Sequence, residues 1–205
     1  MCLQEAQINS RSIHFSRRSP RPSSHPKQTM LKRLTLLTAV FVASSSIAAE
    51  PATEFIEHIS ALTNNRSGSP LKLKKGEAAI TKAMFKPPVE ILISAKTDST
   101  NLRLSYAANQ VIFNWEVARH ELRIDGGPAG GKHKPGAGVI PTNRYVTVRW
   151  LVTPKNQQIF VDNALRFEHS GDYSRINAPV GVVGAAGSEI TVKSIKVKQL
   201  PPGTE

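Results

Sequence analysis

Apolar and polar residues alternate with a period of two through much of this chain. The pattern is clearest where Tyr145-Val-Thr-Val-Arg-Trp150 is followed by Gln158-Ile-Phe-Val-Asp162-Asn163-Ala-Leu-Arg-Phe167 and then by Ser170-Gly-Asp172. Three short alternating runs joined by polar turns predict a half-buried antiparallel meander. Asp162 and Asn163 both tolerate positive φ, so a two-residue primed turn is expected between the second and third strands. Earlier runs cover 89–95, 102–106, 111–117 and 121–125, each bounded by Asp, Asn, Gly or Pro. Later ones cover 144–153, 157–162, 165–169, 180–183 and 189–197. With helix signals nearly absent after Leu62, the expected fold is all-β, a two-sheet antiparallel β-sandwich (jelly roll) over 71–199 with a tail at 200–205.

Phase assigns the interior. Val111, Phe113, Trp115 and Val117 share one side of their run, and Val146, Val148, Trp150 and Val152 share one side of theirs. Both tryptophans are therefore expected in the core. Upstream, Phe55, Ile56, Ile59 and Leu62 recur at helical spacing, which predicts a short N-terminal helix over 52–62, and the polar stretch 63–70 breaks it. Residues 50–70 thus read as helix and linker.

The N-terminal 49 residues change the picture of compartment and charge. Lys32 and Arg33 precede an apolar run over 34–43 and the small residues of 44–49. This predicts a secretory signal peptide at 30–49, with the mature chain beginning at Ala49 or Glu50. About ten apolar residues are too few for a helix crossing a bilayer core of ~30 Å. The expected location is periplasmic or extracellular, with no membrane anchor after cleavage. Residues 1–29 are rich in Arg, Ser and Pro and read as a disordered leader. Translation from Met30 is the simplest account of them, and a genuine long leader is the rival. The single cysteine, Cys2, falls in this leader, so no disulfide, thiolate nucleophile or thiolate-ligated metal is expected in the mature part. The chain has 27 Lys and Arg against 15 Asp and Glu, a formal +12. Seven of the basic residues and one acid precede residue 50, which leaves 20 against 14, or +6, on the mature part. Scattered lysines at that charge form no dense stripe and do not predict nucleic-acid binding.

One polar face offers candidate chemistry. Arg103, then Asn114 and Glu116 opposite the Phe113 side, then Arg123 and Asp125 opposite Leu122 and Ile124, should project from one side of neighbouring strands. Two guanidinium groups, two carboxylates and an amide can hold sugar hydroxyls through paired hydrogen bonds. The same residues also describe an ordinary solvated face of cross-strand ion pairs. Glycosidic hydrolysis would need two carboxyl groups across a cleft, one kept protonated by burial. Glu116 with Asp125 or Glu121 supplies carboxyl groups, but beside arginines. The Gly-rich stretch 126–138 has a phosphate-loop spacing up to Lys132, yet His133 stands where Ser or Thr would hold magnesium and Pro135 excludes the required helix. Nucleotide binding is not expected. The stretch reads instead as a mobile loop over one end of the sandwich, with Lys132, His133 and Lys134 in reach of an acidic or sulfated glycan. His58, His120 and His169 show no zinc spacing. Calcium stays open, with Asp98, Asn101 and Asp172 as loop oxygens that no spacing singles out. No cofactor is assigned. Tyr173 is a loop aromatic and a candidate sugar contact.

The stretch 86–198 resembles the concanavalin A-like lectin/glucanase superfamily, which includes laminin G-like modules and 3-keto-disaccharide hydrolase-type domains. The likeness is carried by Val148-Arg-Trp150, the turn Thr153-Pro-Lys-Asn-Gln157, and Ile159-Phe-Val-Asp162-Asn163-Ala-Leu165, with Asn163 where glycine is usual. Ile190-Thr-Val-Lys-Ser-Ile-Lys-Val197 looks like the closing strand. The resemblance implies a jelly roll whose concave sheet often binds carbohydrate. The Glu-x-Asp-x-x-Glu run of the glucanase members has no counterpart here. The expected function is a secreted carbohydrate-binding or extracellular interaction module without catalysis. A glycoside or 3-keto-disaccharide hydrolase on the same fold and a ligand-free structural envelope protein are the alternatives.

Overall fold

A computed structural model describes residues 54–59 and 70–205. Its strands, in chain order, are β1 (Ile56–Glu57), β2 (Leu71–Leu73), β3 (Ala78–Ile80), β4 (Val89–Thr97), β5 (Leu102–Ser105) and β6 (Gln110–Phe113). They continue with β7 (Glu121–Asp125), β8 (Lys132–Pro135), β9 (Val146–Val152), β10 (Asn156–Val161), β11 (Ala164–Ser170), β12 (Gly181–Val183) and β13 (Ile190–Gln199). A seven-stranded sheet runs β1-β13-β4-β9-β10-β11, with β2 also on β13, and a six-stranded sheet runs β3-β12-β5-β6-β7-β8. All pairings are antiparallel. The expected two-sheet jelly roll is the observed architecture.

Alternation explains the long strands. Along β4 every second residue from Val89 to Thr97 is buried, and β9 buries Val146, Val148, Trp150 and Val152. Where the apolar spacing is irregular, the backbone adjusts. In β13 the inward residues are Ile190 and Val192, then Ile195 and Val197, a step of three in the middle. A bulge between Val192 and Ser194 absorbs the extra residue and returns Ile195 to the interior. The expected turn is also present, with Asp162 at φ 47° and Asn163 at φ 69° closing the β10–β11 hairpin.

The core lies between the sheets, with Ile91, Ile93, Val148, Trp150 and Ile159 from one and Leu102, Leu104, Phe113, Leu122 and Ile124 from the other. Trp150 is fully buried, meets Tyr106 edge-on at 6.1 Å, and donates its indole N–H to the Gln157 side chain at 2.9 Å. Gln157 is itself fully buried and faces inward with Ile159 and Val161. Burying an indole removes roughly 150–250 Å² from water, about 4–6 kcal/mol of gross hydrophobic stabilisation. The paired N–H removes the penalty that its polar edge would carry in that setting.

Four expectations differ from the structure. The helix expected over 52–62 is absent at its described residues: Ile56 and Glu57 form β1, opposite Val197 and Lys196. The Glu57 carboxylate accepts the amides of Ile59 at 2.9 Å and Ile195 at 3.1 Å. A sheet edge supplies backbone partners at once, whereas a short helix must first nucleate. The remainder of that range, the expected signal peptide and the expected leader lie outside the described residues. Second, the stretch 126–138 is not one loop, because Lys132–Pro135 pairs with β7 as β8. Its tight start depends on Gly127, at φ 68°, where a Cβ would lie 2.1 Å from the Ala107 carbonyl oxygen. Third, Tyr173 is fully buried and its hydroxyl meets His169 Nδ1 at 2.8 Å, so it is a core residue and not a sugar contact. Fourth, Trp115 is only partly buried and Val117 is 74 % exposed. The alternation that placed both inside ends at Phe113.

The two tryptophans should therefore separate in a stability assay. Trp150→Ala is expected to lower the unfolding free energy by about 3–5 kcal/mol, and Trp115→Ala by about 1 kcal/mol or less, read from urea unfolding curves. The buried phenols set a second expectation. Burial pushes Tyr173 up to about 12 and raises Tyr106 as well, from an ordinary value of 10. Unfolded phenols ionise first, so stability is full below pH 10 and falls between pH 10 and 12. The urea midpoint is expected to drop across that window, and less steeply in Tyr173→Phe.

Candidate functional site

The outward side of the six-stranded sheet carries the polar cluster. Register places Arg103, Ile112, Arg123 and His133 in one row across β5, β6, β7 and β8. At a strand spacing of about 4.8 Å the row is roughly 14 Å long. The neighbouring row pairs Gln110 with Asp125, and Glu121 pairs with Pro135 at the far end. Ile112 is 2 % exposed but stands outside the main core cluster, flanked by the two arginines. It is an apolar floor beneath charged groups, whose stems cover it.

Arg103 is the most connected residue. Its Nη1 donates to Gln110 Oε1 at 3.2 Å, and its Nη2 to Asn101 Oδ1 at 3.2 Å and Glu116 Oε1 at 3.3 Å. Arg123 donates from Nε to Asp125 Oδ1 at 2.8 Å and lays its guanidinium 4.5 Å over the Trp115 ring. His133 approaches that ring edge-on at 5.4 Å and meets Glu121 Oε2 through Nδ1 at 3.0 Å. Arginine over an aromatic face is attracted by the ring quadrupole. The result is an amphipathic surface with one indole, two guanidinium groups, an imidazole and three carboxylates.

Of the five sequence-derived candidates, Arg103, Glu116, Arg123 and Asp125 lie on this face as two ion pairs. Asn114 does not. It is fully buried, its Nδ2 donates to the Ile140 carbonyl at 2.9 Å, and its Oδ1 accepts the Ile140 amide at 3.0 Å. Its backbone is left-handed at φ 48°, a conformation that asparagine tolerates better than most residues. That single dihedral ends β6, breaks the alternation, and turns Trp115 out onto the polar face. Phase reasoning assigned Trp115 to the core because it assumed an unbroken strand. Asn114 before Trp115 was the available signal, since asparagine marks turn geometry. Gln110, Glu121 and His133 join the face through pairing register, which local pattern does not specify.

The calcium candidates do not form one site. Asp98 follows β4, whereas Asp172 follows β11, whose His169 pairs through Gln157 and Val152 with Val89 at the β4 start. The nine residues of β4 separate those ends by roughly 26 Å. Asn101 donates to Thr100 and accepts from Arg103. The Asp172 carboxyl is held below its usual range by the Ser174 hydroxyl and amide. Among the described residues no group of three or more His, Cys, Asp or Glu is placed to hold a metal ion.

The fold recurs among known structures. It is similar to a protein of Parabacteroides distasonis ATCC 8503 named as a candidate glycosyl hydrolase, at TM-score 0.53 and 13% identity, covering 72% of this chain and 100% of that one. It is also similar to the exoplasmic/lumenal domain of VIP36 in its Ca2+/Man-bound form, at TM-score 0.51 and 11% identity, covering 72% and 82%. The likeness in both cases is one of fold, a two-sheet antiparallel β-sandwich. No protein-family model matches the chain, and none of the curated proteins does.

The clamp at Asn114 has a measurable weight. Asn114→Ala leaves the Ile140 amide and carbonyl without partners and is expected to destabilise by about 1–3 kcal/mol for each group. Thermal unfolding of the variant checks it, with a fall of several degrees expected.

Proposed function

We propose that the outward face of the six-stranded sheet binds carbohydrate and performs no chemistry on it. The observation that carries this reading is the position of Trp115, a partly exposed indole among paired guanidinium and carboxylate groups. Sugars present apolar C–H faces and arrays of hydroxyls, and this surface offers a ring for the first and bidentate donors and acceptors for the second. The two structural neighbours, a candidate glycosyl hydrolase and a Man-bound domain, fit a carbohydrate ligand.

Binding is favoured over hydrolysis by the company the carboxylates keep. A glycosidic general acid needs a carboxyl that retains its proton through burial. Glu116 is 47% exposed and paired with Arg103, and Asp125 is paired with Arg123. Ion pairs of this exposure contribute about 1 kcal/mol at most to folding, so the face can exchange them for ligand contacts at little cost.

Tryptophan fluorescence tests the reading directly, because Trp150 is sealed in the core and Trp115 is not. Titration of the purified protein with soluble polysaccharides is expected to change the emission, and Trp115→Ala to abolish binding in calorimetry while keeping the fold. Undiminished binding by Trp115→Ala overturns the reading. Release of reducing ends from a bound polysaccharide would replace it with hydrolysis.

A further inference from the structure

Beside the polar face, the sandwich is open along one edge. Strands β8 and β11 are the terminal strands of the six- and seven-stranded sheets. Between them lies a cavity of about 380 Å³, bounded on one side by Lys134, Gly136 and Ala137 and on the other by Ala164 and Arg166. Both charged residues at this cavity are cations. Lys134 stands opposite the buried Leu122 in the β7–β8 pairing, so its side chain leaves β8 toward the other sheet. Arg166 arrives by a different device. Ile159 pairs with Phe167 and Phe160 with Leu165, which makes Arg166 the extra residue of a bulge in the β10–β11 hairpin. Bulges re-aim side chains, and this one turns a guanidinium toward the opening.

The cations at this edge are not neutralised. Arg166 Nη1 donates to the Val139 carbonyl at 3.4 Å, while its Nε is buried with no acceptor. Nearby carboxylates are engaged elsewhere: Glu168 accepts from Gln158 and Asn156, Glu121 holds His133, and Asp162 holds Arg144 and the Thr147 amide. Among the described residues neither Lys134 nor Arg166 forms an ion pair with a carboxylate. The guanidinium therefore has no charge partner, and an oxyanion in the cavity would supply one.

We propose that this edge cavity is an anion subsite that takes a carboxylate or sulfate group of an acidic polysaccharide lying across the polar face. The proposal rests on the carbohydrate reading and names its substrate class. The geometric link is the row Arg103–Arg123–His133, which ends on β8, one residue from Lys134. A chain following that row runs off the sheet at the rim where the cavity opens. Arg166 supplies a planar fork suited to an oxyanion and Lys134 a point charge.

Calorimetry of the full protein with polygalacturonate, dextran sulfate and neutral dextran, at one ionic strength, tests it. At least one charged probe is expected to bind tenfold or more tighter than neutral dextran. Lys134→Gln/Arg166→Gln is expected to erase that difference and leave neutral binding unchanged. Lys134→Gln alone reports the same loss in part should the double variant fail to fold. Lys75→Gln/Lys82→Gln, which removes two charges elsewhere, is expected to keep the preference. Equal affinity for charged and neutral probes, an unaltered preference in the edge variant, or an equal loss in the control pair overturns the subsite while the polar-face reading survives. If no polysaccharide binds, the polar-face reading falls and inorganic sulfate decides the cavity. A sulfate-dependent rise in Tm that the edge variant loses retains an anion site, and equal rises in both proteins remove it.

Discussion

The Asn114–Ile140 clamp is the constraint on which the polar face depends. Two hydrogen bonds join the end of β6 to the segment that carries the chain from the six-stranded sheet across to β9 in the other. The Asn114 carbonyl also accepts the Asn101 amide at the start of β5, and its amide donates to Gly138. One residue thus ties two strands to the crossover. Its left-handed backbone stops the strand, so Trp115 leaves the plane of the sheet's interior and lies over Arg123. Ile140, held by the same bonds, is fully buried. The polar face and the core are positioned by one buried amide.

The two sides of the six-stranded sheet are under different energetic rules. Inside, Leu102, Leu104, Phe113, Leu122 and Ile124 are fully buried against the other sheet, and changes there remove packing and open cavities. Outside, exposed ion pairs contribute about 1 kcal/mol or less each. The outer face is therefore held in place more by the strands beneath it than by its own contacts. Ile112 is the exception, a buried apolar residue standing between Arg103 and Arg123 in the row. A face whose side chains can change partners without unfolding the domain is suited to ligand exchange.

The open edge follows from the same architecture. A sandwich that does not close into a barrel leaves terminal strands, and such edges invite unwanted pairing. Here β8 is short and carries Lys132, Lys134 and Pro135, and β11 is bent by a bulge. These features blunt the edges, and the same two positions, Lys134 and Arg166, bring unpaired positive charge to the cavity between them.

Strand existence was legible in local pattern because a period of two in apolar residues follows from the pleat alone, and the meander β9–β10–β11 with its Asp162–Asn163 turn was readable residue by residue. The same reasoning found Arg103, Glu116, Arg123 and Asp125, which share a face because their strands stay in phase. It misplaced Trp115, Val117 and Asn114, because a single positive φ reverses facing and its stabilising partner, Ile140, lies 26 residues away. It misread Tyr173, whose burial comes from packing of a loop against the core. It also expected a helix where β13 offers β1 a partner far away in sequence, Ile56 against Val197, and a loop where β7 offers one to β8. Alone, the sequence determined an all-β sandwich, the alternating interior of its long strands and the residue types of one polar face. The tertiary structure decided which tryptophan is core, what Asn114 does, and that Arg166 and Lys134 line one cavity, because each depends on long-range pairing and register that local periodicity does not encode.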